Sequence, residues 1–212
     1  GNRDGACRGA PATATATAGP RVAKLPARRS PRGPAPMEAR YDPLAPRTLV
    51  LVGLIAACVL SRLIPHPWNF SPIEAVALFA GARFADRRLA LLVPIAAMAL
   101  SDVVLGFHGG IPVVYACIAL MAWFGRGLRE RGGAWRIAAY GFASASFFFV
   151  ATNLQVWLAS GMYPLTLEGL ATCFALALPF FQNQLAGVAF YSTLLFGGWA
   201  LLARRVPALA AA

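Results

Sequence analysis

The residues best suited to chemistry are polar side chains that interrupt an otherwise apolar chain. They include carboxylates, imidazoles and several amides, which together could bind a small polar solute through hydrogen bonds and charge. The set is His66, Asn69, Glu74, Asp102, His108, Asn153, Gln155, Tyr163, Gln182, Asn183 and Gln184. Since all of them fall near the same ends of the hydrophobic stretches, we expect a solute pocket that opens on one face of the molecule.

Two carboxylates stand out because of the sequence around them. Asp102 lies inside an apolar stretch, where a charged side chain usually faces a bundle interior or a water-filled cavity. It could contact a solute or an ion, or it could pair with Arg62. Glu74 closes the sequence Ser71-Pro72-Ile73-Glu74, which predicts a helix start with Ser71 as the N-cap. Glu74 can therefore serve as a capping residue, as a solute contact, or as both.

Asn153 and Trp157 are four residues apart, so on a helix they share one face. An amide beside an indole would suit a planar solute, and Tyr163 and Asn183 are expected near the same outer ends. The alternative is a hydrogen bond between helices for Asn153 and an interfacial position for Trp157. The amides of Gln182-Asn183-Gln184 precede the last hydrophobic stretch, where helix capping also favours polar residues.

Metal binding and catalysis have little support in the sequence. His66, His108, Glu74 and Asp102 are suitable ligands for a divalent metal, but no spacing places two of them on one helix face. We therefore predict no metal and no cofactor. Catalytic triads, metalloprotease helices, phosphate loops and dinucleotide fingerprints are absent, which argues against an enzyme. The cysteines lack CxxC spacing, and we expect no disulfide among Cys7, Cys58, Cys117 and Cys173.

Composition and charge place the chain in a membrane. Hydrophobic residues make up 58% of it and charged residues 13%, well below the share in a soluble domain. The net charge of +11 would suggest nucleic acid in a soluble protein, but nine of the 19 Lys and Arg residues precede residue 48. Apart from Arg62, the other arginines form three clusters: Arg83/Arg87/Arg88, Arg126/Arg129/Arg131/Arg136 and Arg204/Arg205. Because basic residues are retained in the cytoplasm, these clusters predict six spans with both termini inside.

The predicted fold is an all-α integral membrane protein, a six-helix bundle with an extra short helix in the outer leaflet. The second span is short, and we assign it to a locally thinned or protein-lined region. Residues 166–180 are read as the outer-leaflet helix, capped by Thr166, since a seventh span would place the last arginines outside. The six spans are predicted at 48–64, 72–84, 89–106, 111–125, 137–159 and 185–203.

The regions outside the membrane domain are short or of low complexity. Residues 1–47 are rich in Pro, Ala and Arg without apolar periodicity, so we expect a disordered basic tail. Translation could instead begin at Met37, which would make residues 1–36 non-native. The membrane domain is expected at 48–205, and residues 206–212 as a short cytoplasmic tail.

Small residues spaced four apart predict close helix contacts. Gly53 with Ala57, and Ala77 with Gly81, form such pairs in the first and second spans. Each pair could serve packing within the chain, or it could form a docking face for another membrane subunit.

Four segments resemble a bacterial family of small, uncharacterised membrane proteins assigned to transport. They are HPWNFSPIEAVALFAGARF, PIAAMALSDVVLGFH, ATNLQVWLASGMYPLTLEGL and PFFQNQLAG, within residues 62–196. More loosely, the architecture is similar to the substrate-binding S components of energy-coupling factor vitamin transporters. That resemblance implies a docking motif in the first helix, for which Gly53 and Ala57 are the nearest match.

The resemblance implies a transport protein that captures a small micronutrient outside a bacterial plasma membrane. Energy would come from partners, namely a membrane coupling subunit and cytoplasmic ATPases. It also implies a ligand among the outer ends of the late helices, near Asn153, Trp157, Tyr163 and Asn183. Two other functions remain open: a stand-alone proton-coupled or facilitative transporter, and a membrane scaffold that transports nothing.

Overall fold

The computed structural model describes residues 45–107, 109–129, 133–206 and 209, and this part of the chain is helical with no strand. The predicted tail over 1–44, Met37, Cys7, His108 and most of 206–212 lie outside the described residues. The helices are α1 (Pro46–Leu60), α2 (Ile73–Arg83), α3 (Arg87–Leu105), α4 (Ile111–Gly125), α5 (Ala134–Ala159), α6 (Leu167–Ser192) and α7 (Gly198–Arg205).

Five helical segments are long and apolar enough to cross a membrane. Short 3₁₀ turns extend α1 and α4, and a π-helical turn, Thr193–Gly197, joins α6 to α7 in one continuous rod. The five candidate spans are Pro46–Leu63, Arg87–Leu105, Ile111–Leu128, Ala134–Ala159 and Leu167–Arg205. The prediction of an all-α multi-pass membrane protein agrees with this architecture, and α2 is the element that differs from the others.

The short helix α2 is the centre of the bundle. Every residue from Ile73 to Ala82 is buried, and α2 contacts α1, α3, α4, α5 and α6. Its closest neighbour is α4, because a Cβ atom added at Gly81 would lie 2.0 Å from the carbonyl oxygen of Ala122. Glycine at this crossing lets the two backbones touch. The small residues of α2 therefore serve packing within the chain.

The 11 residues of α2 do not cross the whole bundle. Glu74, in its first turn, meets Gln184 and through it Ala145, which lie well inside their helices. The preceding loop, residues 64–72, carries the chain inward: Phe70 packs on Tyr191, and Gly187 leaves room for the backbone of Ser71. The inward loop and α2 together thus lie at the centre of the bundle, enclosed by other helices, which agrees with the protein-lined alternative for this short segment; α2 is not among the five helical segments long enough to cross a membrane. Irregular backbone is tolerated at this depth where protein or a cavity surrounds it.

The predicted outer-leaflet helix and the sixth span are one helix. Helix α6 begins after Thr166, whose hydroxyl accepts a hydrogen bond from the Gly169 amide at 3.1 Å, and it continues through Pro179. The Thr166 cap is confirmed, but the separate short helix at 166–180 is wrong. The rod from Leu167 to Arg205 has 39 residues, about 58 Å at 1.5 Å per residue, which exceeds an apolar core of about 30 Å.

Helices α5 and α6 pack against each other as an antiparallel pair. Near one end the ring of Phe149 packs on those of Phe174 and Phe181, with centroid distances of 5.6 and 4.7 Å. Further along, a Cβ atom at Gly141 would lie 2.9 Å from Val188. The contact continues along both helices, and it holds the first half of α6 to the last half of α5.

Arginines gather where α1, α2 and the α6–α7 rod meet, here called the arginine end. Arg47, at the start of α1, donates to the carbonyl oxygen of Arg83, at the end of α2, at 3.4 Å. Arg83 lies over the ring of Phe196, and Arg47 lies over Trp199. The predicted clustering of positive charge is therefore present for Arg47 and Arg83, and apart from Arg62 the helix order puts the other described arginines at the corresponding helix ends.

The other small-residue pair faces outward. Gly53 and Ala57 are exposed on α1, and a Cβ atom added at Gly53 would meet nothing within 4 Å. These two residues therefore remain available to a lipid or to another subunit, in contrast to the buried pair on α2.

Candidate functional site

A cavity of about 290 Å³ lies at the N-terminal end of α2, where the inward loop meets the helices. Its wall combines polar side chains with apolar ones, the composition typical of sites for small solutes. The residues lining it are Arg62, His66, Asn69, Ser71, Ile73, Glu74, Met98, Val114, Phe148, Thr152 and Gln184. The cavity is thus built by the 3₁₀ turn after α1 and the inward loop, together with α2, α3, α4, α5 and α6.

The most unusual group in this cavity is the carboxyl group of Glu74. Its side chain is only 2% exposed. Oxygen Oε1 accepts a hydrogen bond of 2.7 Å from the Gln184 amide, whereas Oε2 is buried without a partner among the residues that the structure describes. Because a buried polar atom without a partner costs about 1–3 kcal/mol, this oxygen calls for an explanation. A bound solute that donates a hydrogen bond would provide one.

Gln184 holds Glu74 in position and is fixed itself. Its amide nitrogen donates both to Glu74 and to the carbonyl oxygen of Ala145, at 3.1 Å. Both donors of this buried amide are therefore used, and the side chain cannot rotate without losing them. Of the predicted capping box, the Ser71 hydroxyl accepts from the Ile73 amide at 3.4 Å, whereas the Glu74 carboxylate accepts from Gln184 across the bundle instead of closing the box.

A second polar group consists of one ion pair at the edge of the cavity. Arg62 Nη1 lies 3.2 Å from Asp102 Oδ1 and also donates to Ser101 Oγ. Tyr115 donates to the other carboxylate oxygen of Asp102 at 2.9 Å. Both oxygens of Asp102 are thus occupied, and Asp102 does not line the cavity. Of the two interpretations of Asp102, the structure supports the ion pair, and Arg62 is the member that reaches the cavity.

The inward loop contributes the polar rim of the cavity. His66 is exposed, and its Nδ1 lies 2.6 Å from the carbonyl oxygen of Ile64. Asn69 has φ = 63°, a left-handed conformation that asparagine adopts more readily than most residues. This turn directs the chain inward toward Ser71 and α2. Both His66 and Asn69 therefore occupy the wall that the sequence predicted as polar.

The predicted wall on the late helices is not part of this cavity. Asn153 donates to the Phe149 carbonyl oxygen at 2.7 Å, and Trp157 Nε1 donates to that of Pro164 at 3.0 Å. Asn183 donates to the carbonyl oxygen of Trp68 at 3.1 Å. Tyr163 lies partly buried in the loop between α5 and α6, and His108 is outside the described residues. Trp157 and Asn183 thus tie backbone segments together, and Asn153 bonds within its own helix.

Sequence reasoning missed several lining residues. Phe148 and Thr152 line the cavity from α5, and like Asn153 and Trp157 they are four residues apart. This spacing places them on one helix face, next to the face that carries Asn153 and Trp157. Gln184 was recognised as polar but interpreted as a helix cap, because the sequence did not show that α6 continues through it.

Metal coordination and covalent cysteine chemistry have no visible basis in the described ranges. No group of three or more His, Cys, Asp or Glu residues lies close enough to hold a metal ion there. Cys58, Cys117 and Cys173 are buried free thiols. The arrangement around the cavity is therefore one that can bind a solute by hydrogen bonds and charge.

Comparison with known proteins assigns the chain to a family. Residues 43–209 match DUF6580, a family of unknown function. The chain belongs to this family. Neither the curated proteins nor the solved structures contain a significant match to it.

Proposed function

We propose that this DUF6580 protein is a membrane transport protein that binds a small solute in the cavity at the start of α2. The single observation that carries the proposal is the buried carboxyl group of Glu74, with one oxygen unpartnered at the wall of that cavity. Buried acids in membrane proteins usually mark solute or ion pathways. The half-helix supports the same function, since transporters commonly build midplane sites from broken helices.

The charges around the cavity favour a solute with a hydrogen-bond donor or a positive charge. Arg62 is neutralised by Asp102 at 3.2 Å, so the carboxyl group of Glu74 is left as the uncompensated acid of the wall. An amine or amidine nitrogen could donate to Oε2 while its apolar part packs on Phe148, Met98 and Ile73. A cavity of about 290 Å³ limits the solute to a small molecule.

The orientation that fits this function places the arginine end in the cytoplasm and the cavity toward the outside of a bacterial plasma membrane. Basic residues near span ends are retained inside, which supports this choice. The exposed face around Gly53 and Ala57 on α1 would then be the docking surface for a membrane coupling subunit with its ATPases. In this scheme the protein captures the solute, and its partners supply the energy.

A second candidate is a proton-coupled transporter that works alone, and the same residue favours it. Glu74 has no cationic partner among the described residues, since the described ion pair joins Arg62 to Asp102. A buried acid of this kind is typical of proton relays in transporters. Uptake into liposomes that contain only this protein, driven by a pH gradient, would favour this candidate over the partner-dependent one.

The experiment that tests solute binding is a thermal-shift screen of the purified protein against small amines, vitamins and nucleobases. A true ligand at 100 times its dissociation constant adds about 2.7 kcal/mol of stability. Glu74→Gln keeps the shape of the side chain but removes its charge, so the shift should disappear. Glu168→Gln is the matched control, because Glu168 is exposed at the start of α6 and outside the cavity.

Two results would overturn the proposal. One is a complete screen in which no solute stabilises the protein, which would favour the scaffold function. The other is a ligand that binds Glu74→Gln and wild type with equal affinity, since binding would then occur elsewhere.

A further inference from the structure

A second cavity lies at the arginine end, in the groove between α5 and the α6–α7 rod. It is larger than the first, at about 640 Å³, and most of its wall is apolar. The residues lining it are Arg83, Ala134, Ile137, Ala138, Gly141, Phe142, Leu185, Val188, Ala189, Ser192, Thr193, Phe196, Gly197 and Ala200. An apolar groove on the flank of a membrane helix pair has the shape and chemistry to take a hydrocarbon chain.

Two polar atoms in this wall have no partner within the described part of the chain. They are Nε of Arg83 and Oγ of Ser192, both buried. Ser192 is only 6% exposed, and a serine in a helix usually satisfies its hydroxyl on a backbone carbonyl. A buried donor from a guanidinium group and a buried hydroxyl beside one apolar groove together indicate a ligand with an acceptor-rich head.

The positive charge of Arg83 favours a negatively charged head group. No carboxylate among the described residues pairs with Arg83, whose neighbours are the ring of Phe196 and the guanidinium of Arg47. An anion would gain charge-assisted hydrogen bonds from Arg83. A zwitterionic head group would bring a positive charge into the same neighbourhood and gain less.

The backbone of the rod is also irregular here. The π-helical turn, Thr193–Gly197, follows Ser192 directly and contributes Thr193, Phe196 and Gly197 to the wall. Single π-helical turns inside α-helices occur frequently at functional sites. The irregular turn, the unpartnered atoms and the groove coincide within a few residues.

We propose that this groove is a specific site for an anionic phospholipid, with the phosphate on Arg83 and Ser192 and an acyl chain along α5 and α6. Basic pockets between membrane helices at the cytoplasmic surface are suited to anionic head groups. This site is separate from the solute cavity, so it does not depend on the transport proposal. A bound anionic lipid would contact α5, the α6–α7 rod and Arg83 of α2 together, and would stabilise their packing against one another.

The test measures thermal stability in nanodiscs of phosphatidylcholine as phosphatidylglycerol is titrated in. In wild type we expect the stabilisation to saturate as the phosphatidylglycerol content rises. In Arg83→Gln the content needed for half of the stabilisation should increase about tenfold, in line with loss of a charge-assisted bond. Arg88→Gln is the matched control, because Arg88 is exposed at the same end and outside the groove. In this variant the phosphatidylglycerol content at half of the stabilisation should increase by no more than about fivefold, the effect of one basic residue near an anionic surface.

A second variant keeps the arginine and fills the groove. Ala138 is exposed on its wall, so Ala138→Phe should fold normally yet lose the phosphatidylglycerol effect. Mass spectrometry of the purified protein should detect co-purified phosphatidylglycerol in wild type and not in this variant. Saturation by inorganic phosphate alone would show a simple anion site and overturn the lipid proposal.

Other outcomes also refute the site. Equal losses for Arg83→Gln and Arg88→Gln would show general attraction to an anionic surface. Full retention of the lipid effect in Ala138→Phe would show that the groove is not used, or that another protein helix covers it.

Discussion

The strongest structural prediction concerns Asp102, which the structure places in an ion pair. Asp102→Asn removes the charge but keeps the shape, so Arg62 remains in a site where its side chain is only 15% exposed. Removing one partner of a buried pair typically costs about 3–5 kcal/mol. Asparagine can still accept from Tyr115, and Arg62 keeps its bond to Ser101. We therefore expect a loss of about 2–3 kcal/mol.

The assay is thermal unfolding in a mild detergent, in which the fraction of folded protein is measured as temperature rises. For a chain of this size each kcal/mol of lost stability lowers the unfolding midpoint by about 2–4 °C, so the midpoint should fall by about 4–12 °C. Asp86→Asn is the matched control, because Asp86 caps α3 through the Arg88 and Leu89 amides and asparagine caps equally well. Its midpoint should stay close to that of wild type.

A double-mutant cycle separates the ion pair from other effects of the substitution. Arg62→Met combined with Asp102→Asn leaves no buried charge without a partner, so the double variant should lose less than the sum of the two single losses. A coupling of about 1–3 kcal/mol is expected for groups in direct contact. An unchanged midpoint for Asp102→Asn, or strictly additive losses, would refute the ion-pair interpretation.

Two further predictions concern packing and topology. Gly81→Ala should destabilise the protein by about 1–3 kcal/mol or more, because its methyl group would meet a backbone oxygen of α4. Gly53→Ala, with open space around it, should be neutral or slightly stabilising in the same melts. Cysteines at Gly109 and Gly161 should react with an impermeant thiol reagent on intact cells, whereas one at Gly133 should react only after permeabilisation. Labelling of Gly133 from outside would reverse the proposed orientation.

The membrane class and most helix positions follow from the sequence because they depend on local properties. Hydropathy and arginine spacing predicted the third and fourth helices within two residues of α3 and α4. The Thr166 cap was predictable for the same reason, since a hydroxyl and an amide three residues away suffice to form it. Such features need no knowledge of the tertiary structure.

The fold prediction that was wrong, a separate helix at 166–180, concerns a place where local signals and tertiary contacts disagree. Pro179 and the length of the apolar stretch suggested an interruption, but packing of Phe149 on Phe174 and Phe181 holds α6 against α5 on both sides of Pro179. For helix α2 the sequence left two explanations of its short length open, a thinned bilayer and a protein-lined region. In the structure α2 is surrounded by helices and follows the inward loop, which agrees with the protein-lined region.

In the proposed solute site, the sequence likewise showed the residue types but not the partners of each residue. Sequence could identify Glu74 and Asp102 as unusual acids, but it could not say which acid already had a cation. That depends on Arg62, 40 residues before Asp102 in the chain, and on Gln184, 110 residues after Glu74. Because Arg62 neutralises Asp102, the acid left without a cation in the proposed solute site is Glu74, the one whose local sequence offered a capping explanation. A buried carboxyl with a free oxygen is more informative than a carboxyl in an apolar stretch, since only the first has an unmet bonding requirement.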